Sequence, residues 1–359
     1  MQKKGLLFIP DISGFTQFIH DTELEHSRLI IQELLEVLIN ANEMGLQISE
    51  IEGDAILFYK LGEPPALTEM YGQVEKMFCA FHKNLMAYDL HKYCQCKACT
   101  SAIELTLKII THYGEFTEYQ VKNFLKLIGK DVIVAHQLLK NDIQPHEYWL
   151  ITDEVQKVEN LNALQAPIAW KENHIQTSAG RVNYHFAHLS ELKSKVSADQ
   201  FPRPNLDEKV KVISQTAEYD AGLITLFHAA GNFTYRHQWW PGVTKVEELN
   251  HFLPRVGMKC KYTLDNGESY VYSNSYNFEN DRIEFSETQE GSDCITFFTL
   301  ELVAPRRTRL TIDYYIRKNW LNTLMFSLKE KRKVEETIAA SMSKLPKVIS
   351  GVKLPEHLP

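Results

Sequence analysis

A polar stretch near residue 200, Val196-Ser197-Ala198-Asp199-Gln200-Phe201-Pro202-Arg203-Pro204-Asn205, limits the fold of this chain more than any other feature. Pro202 and Pro204 fix φ and remove two backbone donors, so neither a helix nor an interior strand runs through them. A chain of 359 residues is also long for one hydrophobic core. We therefore place a first domain at 1–190, a linker at 191–206, a second domain at 207–350 and a C-terminal tail at 351–359.

Each half carries its own pattern. In the first, Gly5 to Asp11 reads as a short buried strand, and Glu23 to Met44 has apolar residues at helical spacing. Leu46–Ile51 and Ala55–Tyr59 read as strands of a hairpin around Glu52-Gly53-Asp54. A second amphipathic helix is expected over Pro65–Tyr88, a strand over Ile103–Thr111, a helix over Asp131–Leu139 and closing strands at Tyr148–Thr152 and Tyr184–His188. The order is that of an α+β, ferredoxin-like βαββαβ domain. In the second half, Lys209–Tyr219 alternates as a strand and Asp220–Ala230 reads as a helix. Several strands follow between Gly257 and Ile316, then one long helix over Lys318–Lys344. A curved antiparallel sheet around that helix is the expected packing.

Composition excludes several functions. The net charge of −7 offers no basic field for nucleic acid. No apolar run approaches the roughly 20 residues of a membrane span. The apolar stretch after Lys3 and Lys4 stops at Asp11, too short for a signal peptide, so a reducing cytoplasm is the expected compartment. There is no Gly-x-Ser-x-Gly, phosphate-binding Walker loop or dinucleotide fingerprint, and the histidines lack metalloprotease spacing.

Two carboxylates draw attention. Asp11 closes the first strand, Gly14 allows a tight turn, and a helix follows; amides at such a turn can receive phosphate oxygens. Asp54 sits in the hairpin. If the hairpin lies beside the first strand, Asp11 and Asp54 converge and suit hard cations such as Mg²⁺. The plainer alternative makes Asp11 a helix cap and Asp54 a turn residue.

Together these segments resemble a family. Asp11-Ile12-Ser13-Gly14-Phe15-Thr16 resembles the first metal-binding segment of class III adenylate and guanylate cyclases, and Glu52-Gly53-Asp54-Ala55-Ile56-Leu57 resembles their second. Leu107 to Gly114 looks like their next strand, and Gly129 to Leu138 matches the segment written Gly-x-x-Val-Asn-x-Ala-x-Arg. The resemblance covers residues 4–190. It implies a dimer whose shared sites hold a nucleoside triphosphate and two Mg²⁺ ions, on Asp11 and Asp54, with Ile12 to Thr16 along the nucleotide. There the ribose 3′-oxygen attacks the α-phosphorus and pyrophosphate leaves. The family's ribose-orienting Asn falls on Ile133 and its transition-state Arg on Gln137. Ile offers no hydrogen bond and Gln no charge. Glu50 matches the guanine-reading position, while Lys126 fits neither base. Binding without brisk cyclisation is the expectation. An active cyclase and a purely structural, dimerising protein are the alternatives, and the partner is a second copy or another cyclase-like chain.

His91-Lys92-Tyr93-Cys94-Gln95-Cys96-Lys97-Ala98-Cys99 holds half of the six cysteines. His91, Cys94, Cys96 and Cys99 could complete a tetrahedral zinc shell; a turn with buried or redox-sensitive thiols is the alternative. In the second half, His237-Gln238-Trp239-Trp240-Pro241-Gly242-Val243 and the strands beyond it resemble the START-like, polyketide-cyclase-like helix-grip family over 207–350. That family encloses an apolar cavity between sheet and helix, implying a hydrophobic small molecule or lipid as ligand. Phe227, Trp239, Trp240, Tyr262, Tyr270, Tyr272, Phe297, Phe298, Tyr314 and Tyr315 either line such a cavity or fill the core. The charge run Lys329 to Lys333 reads as a solvated helix face, with a docking patch as the alternative.

Overall fold

The computed structural model describes residues 3–91, 96–122, 124–156, 161, 164, 166, 168–197, 205–248, 256–265, 267–279 and 281–352. The chain forms two compact units, one of residues 1–90 and 97–198, the other of residues 91–96 and 199–359. Both mix strands and helices.

In the first unit β1 (Lys3–Ser13) leads into α1 (Phe15–Asp21) and α2 (Leu24–Asn40). The hairpin β2 (Gln47–Glu52) and β3 (Ala55–Leu61) follows, then α3 (Leu67–His91), α4 (Lys97–Ser101) and the long β4 (Thr106–Val121). The remainder is β5 (Phe124–Ile128), α5 (Lys130–Leu138), β6 (Tyr148–Thr152), α6 (Asp153–Gln156), β7 (Lys171–Thr177) and β8 (Gly180–His188). The strands lie in the order β2-β3-β1-β4-β6-β8-β7, and β5 folds back on β4. Among the described residues only β4 and β6 run parallel. β1 is the inner strand, flanked by β3 and β4, and Leu6, Leu7, Phe8 and Ile12 are fully buried. Being covered on both faces explains its unbroken apolar run.

Two close approaches fix the far side of this sheet. A Cβ on Gly114 would meet the Asp131 side chain at 2.3 Å, and one on Gly129 would meet the Glu115 carbonyl at 2.7 Å. Over Gly114, Asp131 Oδ2 accepts the Glu115 amide at 2.6 Å, and its Oδ1 lies 3.3 Å from His112 Nε2. Gly129 and Asp131 thus seat α5 against β4.

The second unit runs β9 (Lys209–Tyr219), α7 (Leu223–Gly231), α8 (Arg236–Trp239), β10 (Val243–Glu248), β11 (Lys259–Leu264), β12 (Gly267–Glu279), β13 (Arg282–Gln289), β14 (Ile295–Ala304), β15 (Arg307–Arg317), α9 (Trp320–Lys329) and α10 (Lys331–Gly351). All seven strands are antiparallel in the order β10-β11-β12-β13-β14-β15-β9. α10 buries Ile338, Ser341, Met342, Leu345 and Val348, a stripe at helical spacing.

The structure departs from several local expectations. The long final helix is two helices, broken at Glu330, whose φ of −121° leaves the helical region. α9 buries Phe326 but leaves Leu321, Leu324, Met325 and Leu328 exposed, so most of its apolar residues are not core. α10 runs on through Pro346. Pro346 has no amide to give the carbonyl four residues back, and the Tyr219 hydroxyl donates to that Met342 carbonyl at 2.9 Å instead. The stretch read as the start of a linker forms a 3₁₀ turn over Ser190–Lys195 with Leu192 buried. β5, β7 and β10 are strands that the sequence pattern does not mark.

Candidate functional site

Asp11 lies near the end of β1, three residues before the turn at Gly14, whose φ of +89° belongs to the left-handed region that favours glycine. Asp54 lies at the β2–β3 turn after Gly53, φ +62°. The Ile12 amide donates to the Asp54 carbonyl at 3.0 Å, locking turn to strand end. Both carboxylates, with the whole run from Ile12 to Thr16, line one groove of about 870 Å³. The groove also takes Gln17, Glu52, Lys108, His136, Leu139, Lys140 and His146. The Ser13 hydroxyl is buried here with no hydrogen-bond partner among the described residues.

The electrostatics of the groove centre on a residue outside the sequence reading. Lys108 faces Asp11 across the β1–β4 ladder. Its Nζ lies 3.2 Å from Asp11 Oδ1 and donates to the Leu139 carbonyl at 3.2 Å. Burial raises the Asp11 carboxyl above its usual value, against the pull of Lys108. Asp54 is pushed up to about 6, first by burial and then by the like charge of Asp11. The two carboxylates therefore sense each other, as convergent groups do. An ammonium already holds one oxygen of Asp11, leaving its second oxygen and Asp54. That donor set can hold a hard cation.

Glu50 and Lys126, the positions the resemblance assigns to base reading, meet each other outside the lining of that groove. Glu50 on β2 and Lys126 on β5 form a salt bridge, and His136 on α5 stands beside them, Nε2 3.6 Å from Glu50 Oε1 and Nδ1 3.9 Å from Glu52 Oε2. Ligand atoms of Glu50, Glu52 and His136 all lie within 4.8 Å of one another. On α5, Ile133 is exposed and Gln137 turns away into a neighbouring turn, its Oε1 accepting from the Ser178 amide at 3.0 Å.

Of the cysteine cluster, Cys94 lies outside the described residues, while Cys96 and Cys99 are buried. Cys99 Sγ lies 3.6 Å from Nδ1 of His26, a histidine 73 residues away that spacing could not suggest.

The second unit holds a cavity of about 510 Å³. Trp240, Tyr262 and Tyr314 line it, among Leu264, Val271, Val334 and Ile338, but so do Ser269, Thr288, Gln289, Thr296 and Thr337. Phe227, Trp239 and Phe298 belong to the packed core instead. On the cavity wall, fully buried Arg236 pairs with Glu287, Nη1 to Oε2 at 2.9 Å, with its guanidinium 4.8 Å from the Trp239 ring centre and 5.4 Å from that of Trp240. Two buried charges hold because each satisfies the other.

Among the described residues no helix is long and apolar enough to cross a membrane. Residues 31–148 match the family described as Protein of unknown function (DUF2652). Over 169 residues the chain is 28% identical to the uncharacterized protein Rv2561/Rv2562 of Mycobacterium tuberculosis, covering 44% of this chain and 73% of that protein. Among solved structures it is similar to the guanylate cyclase domain of RhGC from Catenaria anguillulae, solved in complex with GTP, with 15% identity, a TM-score of 0.36, and coverage of 52% of this chain and 97% of that one. It is likewise similar to the adenylyl cyclase CyaB from P. aeruginosa, with 17% identity, a TM-score of 0.32, and coverage of 52% of this chain and 94% of that one. At such scores any functional reading rests on the residues of the groove.

Proposed function

We propose that the first unit is a divergent class III cyclase-like domain that binds a nucleoside triphosphate in the Asp11–Asp54 groove, in a signalling role, and cyclises it weakly or not at all. The observation that carries this is the convergence of Asp11 and Asp54 on one groove beside Ile12 to Thr16. α1 has only seven residues and adds little dipole. The groove's positive charge comes from Lys108 and Lys140, which suit phosphate oxygens. A single Mg²⁺ entering with the phosphates would be held by Asp54 and the second oxygen of Asp11, where it would neutralise phosphate charge.

The reading of weak turnover follows from Ile133 and Gln137. Neither supplies a donor to ribose nor a cation to the transferring phosphoryl group. Losing one such preorganised donor typically costs about 10²–10³ in rate. Exposed Ile48, Ile51, Leu125, Ile128 and Ile133 on β2, β5 and α5 favour a dimer, with a second copy or a cyclase-like chain that brings Asn and Arg. Incubation with ATP or GTP, Mg²⁺ and Mn²⁺, followed by mass spectrometry of cyclic products, tests this. Product near background is expected; brisk turnover that Asp54→Ala abolishes would establish the active-cyclase alternative. A purely structural protein would neither turn over nor bind nucleotide.

For the second unit we propose a START-like helix-grip domain, on the order strand, helices, six strands and long helix. Its ligand is a small molecule with an apolar body and polar groups, matching the mixed cavity wall. We further propose a zinc shell at the cysteine cluster, with thiolates from Cys94, Cys96 and Cys99 and an imidazole from His26 or His91. Metal analysis of His26→Ala and His91→Ala protein decides between the imidazoles. No zinc in wild-type protein purified without chelator would leave the buried-thiol reading.

A further inference from the structure

The groove needs a cation, and the fold supplies one. Asp11 and Lys108 are direct partners in the β1–β4 register, so both side chains leave the sheet on the same face. The ammonium is held from two independent elements. Asp11 Oδ1 on β1 lies 3.2 Å away, and the Leu139 carbonyl at the end of α5 accepts from it at 3.2 Å. A helix C-terminus carries partial negative charge and favours a cation. Lys108 and Asp11 side chains are only 13% and 12% exposed, so each charge depends on the other. An ammonium has three N–H donors; these two acceptors leave one for a ligand. The unpartnered Ser13 hydroxyl stands in the same groove wall.

We propose that Lys108 is a built-in cation of this groove, standing in for one of the two divalent ions that an Asp11–Asp54 pair would otherwise share, so that a nucleotide's phosphates are received with one divalent ion or none. Two-metal sites hold their ions about 3.5–4 Å apart, which makes both carboxylates serve both ions. Here one Asp11 oxygen is taken by a cation that the fold itself positions. A second divalent ion would have to expel the ammonium from both acceptors or sit against its charge. The proposal rests on the nucleotide-binding reading for its ligand but not for its metal count.

The metal count is therefore measured without nucleotide, by the loss of the free Mn²⁺ resonance signal on titration. Wild-type, Asp11→Asn, Lys108→Met, Lys108→Arg and Lys108→Met/Asp11→Asn proteins are compared, the last removing contributions from Glu50, Glu52, His136 or the cysteines. Wild type is expected to bind at most one Mn²⁺ ion in this groove, through Asp54 and the second oxygen of Asp11, and Asp11→Asn should weaken it. Lys108→Met should bind Mn²⁺ at least about tenfold more tightly, a gain that adding Asp11→Asn abolishes, while Lys108→Arg should behave as wild type. The proposal is overturned if wild type already binds two Mn²⁺ ions that Asp11→Asn disturbs, or if folded Lys108→Met gains no Mn²⁺ binding. Should Lys108→Met fail to fold, the wild-type and Asp11→Asn pair still decides. In a separate arm, ATP and GTP are titrated in EDTA and in Mg²⁺. Binding with no Mg²⁺ or with one Mg²⁺ per nucleotide supports the built-in cation; binding that needs two contradicts it. Absence of nucleotide binding in both strikes the nucleotide reading, and the Mn²⁺ count still judges Lys108.

Discussion

Gln137 Oε1 accepts the Ser178 backbone amide at 3.0 Å and lies 3.2 Å from the Ser178 hydroxyl, in the turn between β7 and β8. The position where the cyclase resemblance expects a free Arg is thus spent on holding a turn. Its neighbour Ile133, one helical turn earlier, faces solvent with nothing polar to offer.

Replacing both tests whether these two groups are what turnover lacks. Ile133→Asn with Gln137→Arg should raise cyclic-nucleotide formation above wild type, by up to about 10²-fold if one donor is recovered in working geometry. Loss of the Ser178 bonds should cost about 0.5–1.5 kcal/mol of stability. Product quantification and a denaturant melt check the two effects separately.

Glu50 and Lys126 neutralise each other across β2 and β5. Lys126→Ala should release the Glu50 carboxylate to accept the N–H groups of a guanine edge. Hydrogen bonds to a charged group contribute about 1.5–3 kcal/mol, so GTP should gain about tenfold or more over ATP in competition binding. An unchanged ratio would remove Glu50 from base recognition.

A pH dependence follows from His82. Burial, then the positive charge of Lys193, depresses its pKa to about 4, against the pull of Glu147, whose Oε1 lies 3.6 Å from the ring. Between about 4 and the ordinary value of 6.5 the unfolded chain takes a proton that the folded chain refuses. Stability is therefore full above pH 6.5 and falls as pH drops toward 4. The full shift corresponds to about 3 kcal/mol. Thermal melts from pH 7 to 4.5 should show this decline, and His82→Gln should flatten it.

The strand–turn–helix at Asp11 and the hairpin at Asp54 were legible because their signals are local: Gly14 and Gly53 beside apolar runs. Lys108 was not. Within Leu107-Lys108-Ile109-Ile110 it is a lone charge in a buried strand, which is a signal, but its meaning depends on register with a strand 97 residues earlier. His136 and His146 reach the groove through the same long-range packing. The break at Glu330 lies in a charged run whose residues all favour helix, and Pro346 is tolerated only because Tyr219, far away in sequence, satisfies the freed carbonyl. Local propensity cannot register either event.

Calorimetric titration of the intact protein with GTP and ATP, comparing wild type with Lys108→Met, Lys140→Ala and Asp54→Ala, tests the central claim most directly. The account predicts that wild type binds a nucleoside triphosphate, that nucleoside without phosphates binds far more weakly, and that removing either lysine lowers the affinity. No binding of either triphosphate, with or without Mg²⁺, or binding that both lysine substitutions leave untouched, would contradict it.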